Sequence, residues 1–171
     1  GGTLAMITAA LLAREGDTRL KTLSLFAAQS DCTEAAEIIT FVTHSEIAYL
    51  KNMMWAQGYL DTKQMAGAFQ MLRSYDMVWS RMVHDYLMGE RTALFDLMAW
   101  NADATRMPYK MHSEYLERLF LANEFADGNF TVFGKPVAPE NITVPVFAAG
   151  TEQDHVAPRK SAYKVQLMMS G

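Results

Sequence analysis

A short acidic loop, residues 150–158, combines the residue types that acid–base chemistry requires. It contains Asp154 and His155 and directly follows a continuously apolar segment. In open α/β sheets, side chains at the carboxyl end of a strand face the ligand crevice. A carboxylate in that place can orient a histidine general base within a nucleophile, histidine and acid arrangement. The alternative interpretation is structural: Asp154 caps the following helix and His155 is a solvated loop residue.

The first two residues, Gly1 and Gly2, precede a helical run of small apolar residues. A nucleophile elbow, G-x-S-x-G, ends in glycine because its sharp strand-to-helix turn leaves no room for a side chain. The nucleophile of such an elbow would lie two residues before Gly1. An ordinary tight turn or a cloning remnant would explain the two glycines equally well, so the residues alone leave this hypothesis open.

Other chemistry-bearing residues give weaker signals. Cys32 is the single cysteine, and no glycine-flanked turn presents it, so we interpret it as a bystander. The four histidines are scattered, without HExxH or Cys/His ligand spacing, and no metal site is expected. The 13 methionines and three tryptophans could line a hydrophobic acyl channel, although methionine at helical spacing more often fills a core.

Two apolar segments predict the strands that would position these residues. Residues 20–28 alternate and then become continuously apolar, and residues 142–149 form a second apolar run entered through Pro145. Residues 3–14 and 158–169 predict helices. Continuously apolar strands are typical of a mostly parallel sheet covered by helices, so the predicted fold class is α/β.

The long segment between the two strands predicts a helical insertion. Residues 33–128 show helical spacing and no convincing strand, with breaks at Gly58, 74–76, Gly89 and 106–108. Residues 31–34 predict a helix start, and 111–125 a long helix. A parallel crossover needs far fewer residues, so most of this segment is expected to be a lid or cap. The predicted division is core 1–32, cap 33–128 and core 129–171, the last beginning with a hairpin joined at Gly134.

Composition sets the broad class. The chain has 171 residues, a net charge of -4 and 50% apolar residues, enough for an ordinary globular domain. No run of five Lys or Arg residues occurs, so nucleic-acid partners are not expected. The longest apolar stretch is about half of what a bilayer crossing needs, so no membrane span is expected. With one cysteine and no signal-peptide pattern, we expect a reducing cytoplasm.

Residues 96–108 resemble the W-N-x-D-x-T-x-x-P signature of polyhydroxyalkanoate (poly-3-hydroxybutyrate) synthases, nearer the class I members. The matching residues are Trp100, Asn101, Asp103, Thr105 and Pro108. Further matches follow in the family's order over essentially the whole chain: 58–60, 79–81, 85–89, 115–116, 144–145, and the loop with Asp154, His155 and Pro158. The Trp-Asn-Ala-Asp-Ala-Thr run is highly specific, so this family is the predicted one.

The resemblance implies a partial α/β-hydrolase fold with a helical cap, and catalysis by a cysteine in a G-x-C-x-G-G elbow, a histidine and an aspartate. Asp154 matches the aspartate, and Gly1 and Gly2 match the closing glycines of the elbow. The family's cysteine would then precede Gly1, with one residue between them, and its histidine would follow Gly171. We therefore expect an internal fragment of the catalytic domain that is inactive alone. Cys32 does not match the family nucleophile.

The activity that the resemblance implies is transfer of (R)-3-hydroxyacyl groups from coenzyme A thioesters to a growing polyester chain. The acyl-CoA is a substrate, and no cofactor is expected. The expected partners are a second copy through the cap and the surface of cytoplasmic polymer granules. Alternatives are a serine-type α/β-hydrolase acting on esters and a non-catalytic subunit that binds a synthase or a granule. Arg159 departs from the family, which commonly has Trp there, so packing beside the acidic loop or substrate preference could differ.

Overall fold

The computed structural model describes residues 1–72, 74–90, 96, 99–100, 103, 105–154 and 156–169. Its α-helices are α1 (Gly2–Arg14), α2 (His44–Trp55), α3 (Thr62–Leu72), α4 (Ser80–Met82), α5 (Tyr109–Glu114), α6 (Arg159–Tyr163) and α7 (Val165–Met168). Its strands are β1 (Leu23–Phe26), β2 (Tyr59–Leu60), β3 (Met107–Pro108), β4 (Thr131–Val132), β5 (Lys135–Pro136) and β6 (Val146–Ala149). Short 3₁₀ or π-helical segments span Ala36–Phe41, Tyr75–Trp79, Val83–Leu87, Tyr115–Leu121 and Pro139–Asn141.

Strands β1 and β6 pair in parallel, with Leu23 opposite Val146 and Phe26 opposite Ala149. Leu23 and Leu25 are buried, whereas Phe26 is exposed on the other face. This alternation follows from the two-residue period of a strand. The prediction of an α/β chain with a parallel sheet is confirmed at this level, because helices and a small parallel sheet occur together.

The main core lies where α1 packs with this strand pair. The apolar face of α1 contributes residues that repeat at helical spacing, and the strands contribute every second residue. The buried members are Met6, Ile7, Ala9, Ala10, Leu23, Leu25, Ala28, Leu119, Phe125, Val137, Ile142 and Val165. A smaller buried cluster contains Cys32, Ala35, Val42, Ile47 and Phe120.

The chain divides into two compact units. Unit 1 comprises Gly1–Ile47 and Ser113–Gly171, and unit 2 comprises Ala48–His112. The predicted boundaries at 32/33 and 128/129 stay predictions. No helix among the described residues is both long and apolar enough to cross a membrane.

Unit 2 contains a short antiparallel pair that the sequence did not predict. Strand β2 pairs with β3, with Tyr59 opposite Pro108. The Arg106 guanidinium lies over the Tyr59 ring, 4.5 Å from its centroid. The expectation of no strand between residues 33 and 128 is therefore wrong. Two residues per strand are too few to produce a detectable alternation.

Two predicted helix breaks also differ from the structure. Ser74 has right-handed helical backbone angles and leads directly into the helical segments from Tyr75 to Leu87, so the break predicted at 74–76 is wrong. The helix predicted through residue 125 ends instead at Leu121, and Asn123 follows with a positive φ of 49°. Asparagine tolerates the left-handed region better than most residues, which explains the early end.

The predicted hairpin is confirmed. Strands β4 and β5 pair in antiparallel orientation, joined by Phe133 and Gly134 with φ values of 53° and 74°. Positive φ at both central residues is the geometry of a type I′ turn, which matches the twist of paired strands. The Arg14 guanidinium at the end of α1 holds this hairpin, donating to the carbonyls of Lys135 at 2.8 Å and Pro136 at 3.1 Å.

The methionines agree only in part with the core-filling interpretation. Met6 and Met54 are fully buried, whereas Met71, Met82 and Met88 are 71%, 43% and 58% exposed. The exposed ones therefore do not fill the core of this chain. Whether they line an acyl channel stays a hypothesis.

Candidate functional site

The acidic loop after β6 holds the Asp154 carboxylate in a defined orientation. Asp154 Oδ1 accepts hydrogen bonds from the backbone N–H groups of Val156 at 2.8 Å and Ala157 at 2.9 Å. The Thr151 hydroxyl donates a longer bond to Oδ2, at 3.4 Å. Since the backbone fixes one oxygen, the loop determines where the other points. This is the arrangement that an orienting carboxylate requires.

The helix-cap interpretation of Asp154 is wrong. Helix α6 begins at Arg159 and its N-cap is Pro158, which offers no side-chain hydrogen bond. The two backbone donors that Asp154 holds lie before that helix, so its carboxylate organises the loop. Pro158 was predicted inside the first turn of one closing helix. It lies instead at the N-cap, and Lys164 separates α6 from α7.

Arg159 forms an exposed ion pair with Glu152 of the acidic loop, with 3.4 Å between Nη1 and Oε1. Beside it the start of the loop packs tightly. A Cβ atom placed on Gly150 would lie 3.1 Å from the Ala162 Cβ and 3.7 Å from the Arg159 Cα. The loop is thus anchored at its first residue by close contact with α6.

Gly1 is the N-cap and Gly2 the first residue of helix α1, whose first backbone bond runs from Ala5 N–H to the Gly1 carbonyl at 3.0 Å. A Cβ atom on Gly2 would overlap the Ala28 Cβ and lie 3.1 Å from the Ala28 Cα. The absent side chain therefore lets α1 approach the end of the strand segment. A closing elbow glycine has this same role, and the elbow assignment stays a prediction.

Gln29 connects the start of α1 with the acidic loop and was not predicted from the sequence. Its backbone carbonyl accepts a bond from the Thr3 hydroxyl at 2.8 Å, and its Nε2 donates to the Val156 carbonyl at 2.8 Å. The start of α1 and the Asp154 loop are thereby brought together within unit 1. The one sign of Gln29 in the sequence is that it is a polar residue directly after the apolar strand segment 20–28.

A buried carboxylate, Asp31, was also missed as part of this region. It was predicted to start a helix, but its Oδ1 accepts from the Thr33 backbone N–H at 2.7 Å in a local turn. Lys164 Nζ lies 3.0 Å from Asp31 Oδ2. Burial raises the pKa of Asp31, but the hydrogen bonds from Thr33 and Lys164 outweigh it and hold the pKa below its ordinary value.

Cys32 has the surroundings of an unreactive thiol. It is 3% exposed. Burial, together with the charge of Asp31, raises the pKa of its thiol to about 12. A thiol must ionise to act as a nucleophile, so this environment agrees with the bystander interpretation.

The signature residues lie in unit 2. Trp100 is 73% exposed, and Asp103 and Thr105 are exposed as well. The Asp103 N–H donates to the Trp100 carbonyl at 3.2 Å. Pro108 pairs with Tyr59 in the β2–β3 pair. Asn101 and His155 lie outside the described residues.

Comparison with known proteins identifies close relatives, although no family model matches the chain. The chain is 39% identical over 179 residues to a poly(3-hydroxyalkanoate) polymerase subunit PhaC of Rhizobium meliloti (strain 1021), covering 100% of the chain and 29% of that protein. It is 38% identical to the poly(3-hydroxyalkanoate) polymerase of Methylorubrum extorquens, covering 100% of the chain and 28% of that protein. A polymerase subunit PhaC of Cupriavidus necator is 31% identical, over 95% of the chain and 29% of the relative.

These matches confirm the resemblance predicted from residues 96–108 and the acidic loop. The chain spans somewhat less than a third of the length of the curated relatives it matches. The activity, substrates and partners of the whole protein are therefore proposals, separate from the similarity of this segment.

Proposed function

Since the chain corresponds over its whole length to one segment of the poly(3-hydroxyalkanoate) polymerases, we propose that the protein containing it transfers (R)-3-hydroxyacyl groups from coenzyme A thioesters to a growing polyester. The observation that carries this proposal is the fixed carboxylate of Asp154 at the end of β6. In this proposal Asp154 is the acid of a cysteine, histidine and aspartate arrangement.

The chemistry is acyl transfer through a covalent thioester. The cysteine thiolate attacks the acyl carbonyl, the bond to the coenzyme A sulfur breaks, and the thiol of coenzyme A leaves with a proton from the histidine. The hydroxyl group of a second acyl unit then attacks the enzyme thioester and gives its proton to the histidine. The new ester bond forms as the bond between the acyl carbon and the cysteine sulfur breaks, and the cysteine leaves as a thiolate, ready for the next acyl-CoA. Asp154 keeps the imidazole in the tautomer and orientation that both proton transfers require.

We propose the α/β-hydrolase fold for the whole domain, with residues 33–128 as its cap. Three features of unit 1 support this: the close approach of α1 at Gly2, the parallel β1–β6 pair, and the acidic loop that directly follows β6. In a sheet of this kind, the loop after a parallel strand faces the crevice in which ligands bind.

The remaining proposals concern partners and place. The acyl-CoA is a substrate, and the reaction needs no cofactor. The protein acts in the cytoplasm at polymer granules and pairs with a second copy through the cap. The support for pairing through the cap is a set of large apolar side chains exposed along residues 75–88 of unit 2: Tyr75, Trp79, Tyr86, Leu87 and Met88. Contiguous exposed apolar surface is typical of an interaction site.

The test uses the complete protein and follows coenzyme A release from 3-hydroxybutyryl-CoA. Asp154→Asn is expected to lower turnover by about 10²-fold or more, because an amide holds the imidazole in the wrong tautomer. Glu152→Gln changes an exposed carboxylate of the same loop and is the matched control, expected to stay within about two-fold of the parent.

Two results would contradict the proposal. One is an Asp154→Asn protein with unchanged turnover and unchanged unfolding temperature. The other is a complete protein that releases no coenzyme A. Reading the coding sequence two residues before Gly1 separates the alternatives: cysteine supports the synthase, serine favours an ester hydrolase, and a residue without a nucleophilic group favours a binding subunit.

A further inference from the structure

Gln29 is a buried polar residue whose two hydrogen-bonding ends connect elements far apart in sequence. It is 7% exposed. Its backbone carbonyl is held by the Thr3 hydroxyl in the first turn of α1. Its side-chain Nε2 donates to the Val156 carbonyl in the acidic loop. Both bonds are 2.8 Å long, which is good geometry for a buried residue.

The peptide group between Val156 and Ala157 is the point where Gln29 meets Asp154. The carbonyl of this peptide accepts from Gln29 Nε2 at 2.8 Å. The N–H of the same peptide belongs to Ala157 and donates to Asp154 Oδ1 at 2.9 Å. A peptide group is planar and rigid, so a bond that fixes its carbonyl also fixes the direction of its N–H. Hydrogen bonds at both ends polarise the group and strengthen each other.

We infer that Gln29 is a positioning residue that sets the orientation of the Asp154 carboxylate through this peptide group. The residue type suits the place, because a neutral amide supplies the N–H that the Val156 carbonyl needs and adds no buried charge. Thr3 in turn fixes Gln29 to the helix that begins at Gly2. The effect of Gln29 on catalysis rests on the proposed function, whereas its hydrogen-bonded connection to Asp154 does not.

The first test replaces the donor in the complete protein. Gln29→Met has a side chain of similar length without a hydrogen-bond donor. It is expected to lower kcat for coenzyme A release by about 10-fold, through misplacement of Asp154. KM for the acyl-CoA should stay within about two-fold, because Gln29 is not expected to touch the substrate. The matched control is Gln57→Met, since Gln57 Nε2 also donates to a backbone carbonyl, that of Tyr59 at 2.8 Å, but on an exposed surface.

A second variant, Gln29→Glu, distinguishes a hydrogen-bonding role of Gln29 from a packing role. In Gln29→Glu, an ionised carboxylate would face the Val156 carbonyl and repel it, whereas a protonated carboxyl could donate to it. The activity of this variant relative to the parent is therefore expected to rise as the pH falls from 8 to 6. The relative activity of Gln29→Met should not change over the same range.

A double-mutant cycle tests the connection between Gln29 and Asp154 through stability, without any measurement of activity. Urea unfolding is measured for the complete protein, Gln29→Met, Asp154→Ala and the double variant. The two changes are expected to be less than additive, because each removes a bond to the same peptide group. Additive changes in the cycle would overturn the connection between Gln29 and Asp154. An unchanged kcat in Gln29→Met, where Asp154→Asn lowers kcat, would overturn its catalytic consequence. A parent protein without coenzyme A release would overturn the proposed function, and the cycle would still decide the role of Gln29.

Discussion

Gly2 lies so close to Ala28 that a methyl group on Gly2 would overlap the Ala28 side chain. Glycine is a poor helix former, and in an exposed helix alanine would be preferred by about 1 kcal/mol. The contact explains why the first residue of α1 lacks a side chain. The close contact with Ala28, rather than helix propensity, therefore determines the effect of a substitution at Gly2.

We expect Gly2→Ala to destabilise the complete protein by about 1 to 3 kcal/mol, the usual cost of overpacking. Gly67 in α3 is the matched control, because nothing lies within 4 Å of a Cβ atom placed there. Gly67→Ala should stabilise by about 0.5 to 1 kcal/mol, since only helix propensity changes. Urea unfolding measures both effects.

Adding Ala28→Gly to Gly2→Ala should restore part of the lost stability, because it removes the methyl group that is in the way. Equal gains from Gly2→Ala and Gly67→Ala would show that the contact between Gly2 and Ala28 does not exist in solution.

Cys32 is expected to be dispensable for turnover. With a thiol pKa of about 12, only about 10⁻⁴ of it is ionised at pH 8. Cys32→Ala in the complete protein should keep coenzyme A release within about two-fold of the parent. Mass spectrometry of the Cys32 peptide should show iodoacetamide labelling that is far slower in the folded protein than in urea. Rapid labelling without urea, or a folded but inactive Cys32→Ala protein, would disprove this prediction.

The pair formed by Asp31 and Lys164 predicts acid sensitivity. The folded pKa of Asp31 lies below its ordinary value of 3.8, so the folded state binds this proton less readily than the unfolded state. The pair therefore stabilises the fold above about pH 4 and loses this contribution as the pH falls through the folded pKa. Lys164→Met should cost about 1 to 2 kcal/mol at pH 7 and progressively less below pH 4.

Lys160 is exposed in α6, whose C-cap is Lys164, and provides the control for that measurement. Lys160→Met should change the free energy of unfolding by less than about 0.5 kcal/mol at either pH. A Lys164→Met effect that is the same at pH 7 and pH 3 would remove the ion pair as its cause.

His112 predicts a second pH effect at milder acidity. It is 6% exposed, and burial lowers its pKa below 6.5. The unfolded state then takes up the proton first, so the free energy of unfolding should decrease as the pH falls below about 6.5, down to the folded pKa. His112→Leu should flatten this decrease in urea unfolding curves measured between pH 7 and 5. A curve unchanged by the substitution would assign the decrease to other groups.

The sequence predicted those elements whose signal is local. The apolar runs at 20–28 and 142–149 correspond to the parallel pair, although only one face of β1 is buried in this chain and Phe26 is exposed on the other. Gly134 indicated the hairpin turn in the sequence, because glycine readily adopts the positive φ that such a turn requires. The division of the closing helix at Lys164 was not predictable, since no glycine or proline marks it and the residue instead reaches Asp31.

The candidate site was predictable only in part, for a related reason. Asp154 stood out because it follows an apolar strand in an acidic loop. Gln29 gave no comparable sign, because its partner Val156 lies 127 residues further along the chain. Sequence patterns report neighbours along the chain, whereas the role of the buried Gln29 depends on contacts with residues far from it in sequence.

The pairing of β1 with β6 sets an order of events during synthesis of the protein. Leu23 leaves the ribosome on the order of a hundred residues before its partner Val146, and ribosomes add roughly 5 to 20 residues each second. For several seconds or more, the N–H and C=O groups on this edge of β1 have no strand to pair with, while all of unit 2 is being made. The nascent protein thus passes through an interval in which a second ribosome's product could pair with β1, and a chaperone that covers this edge would protect it.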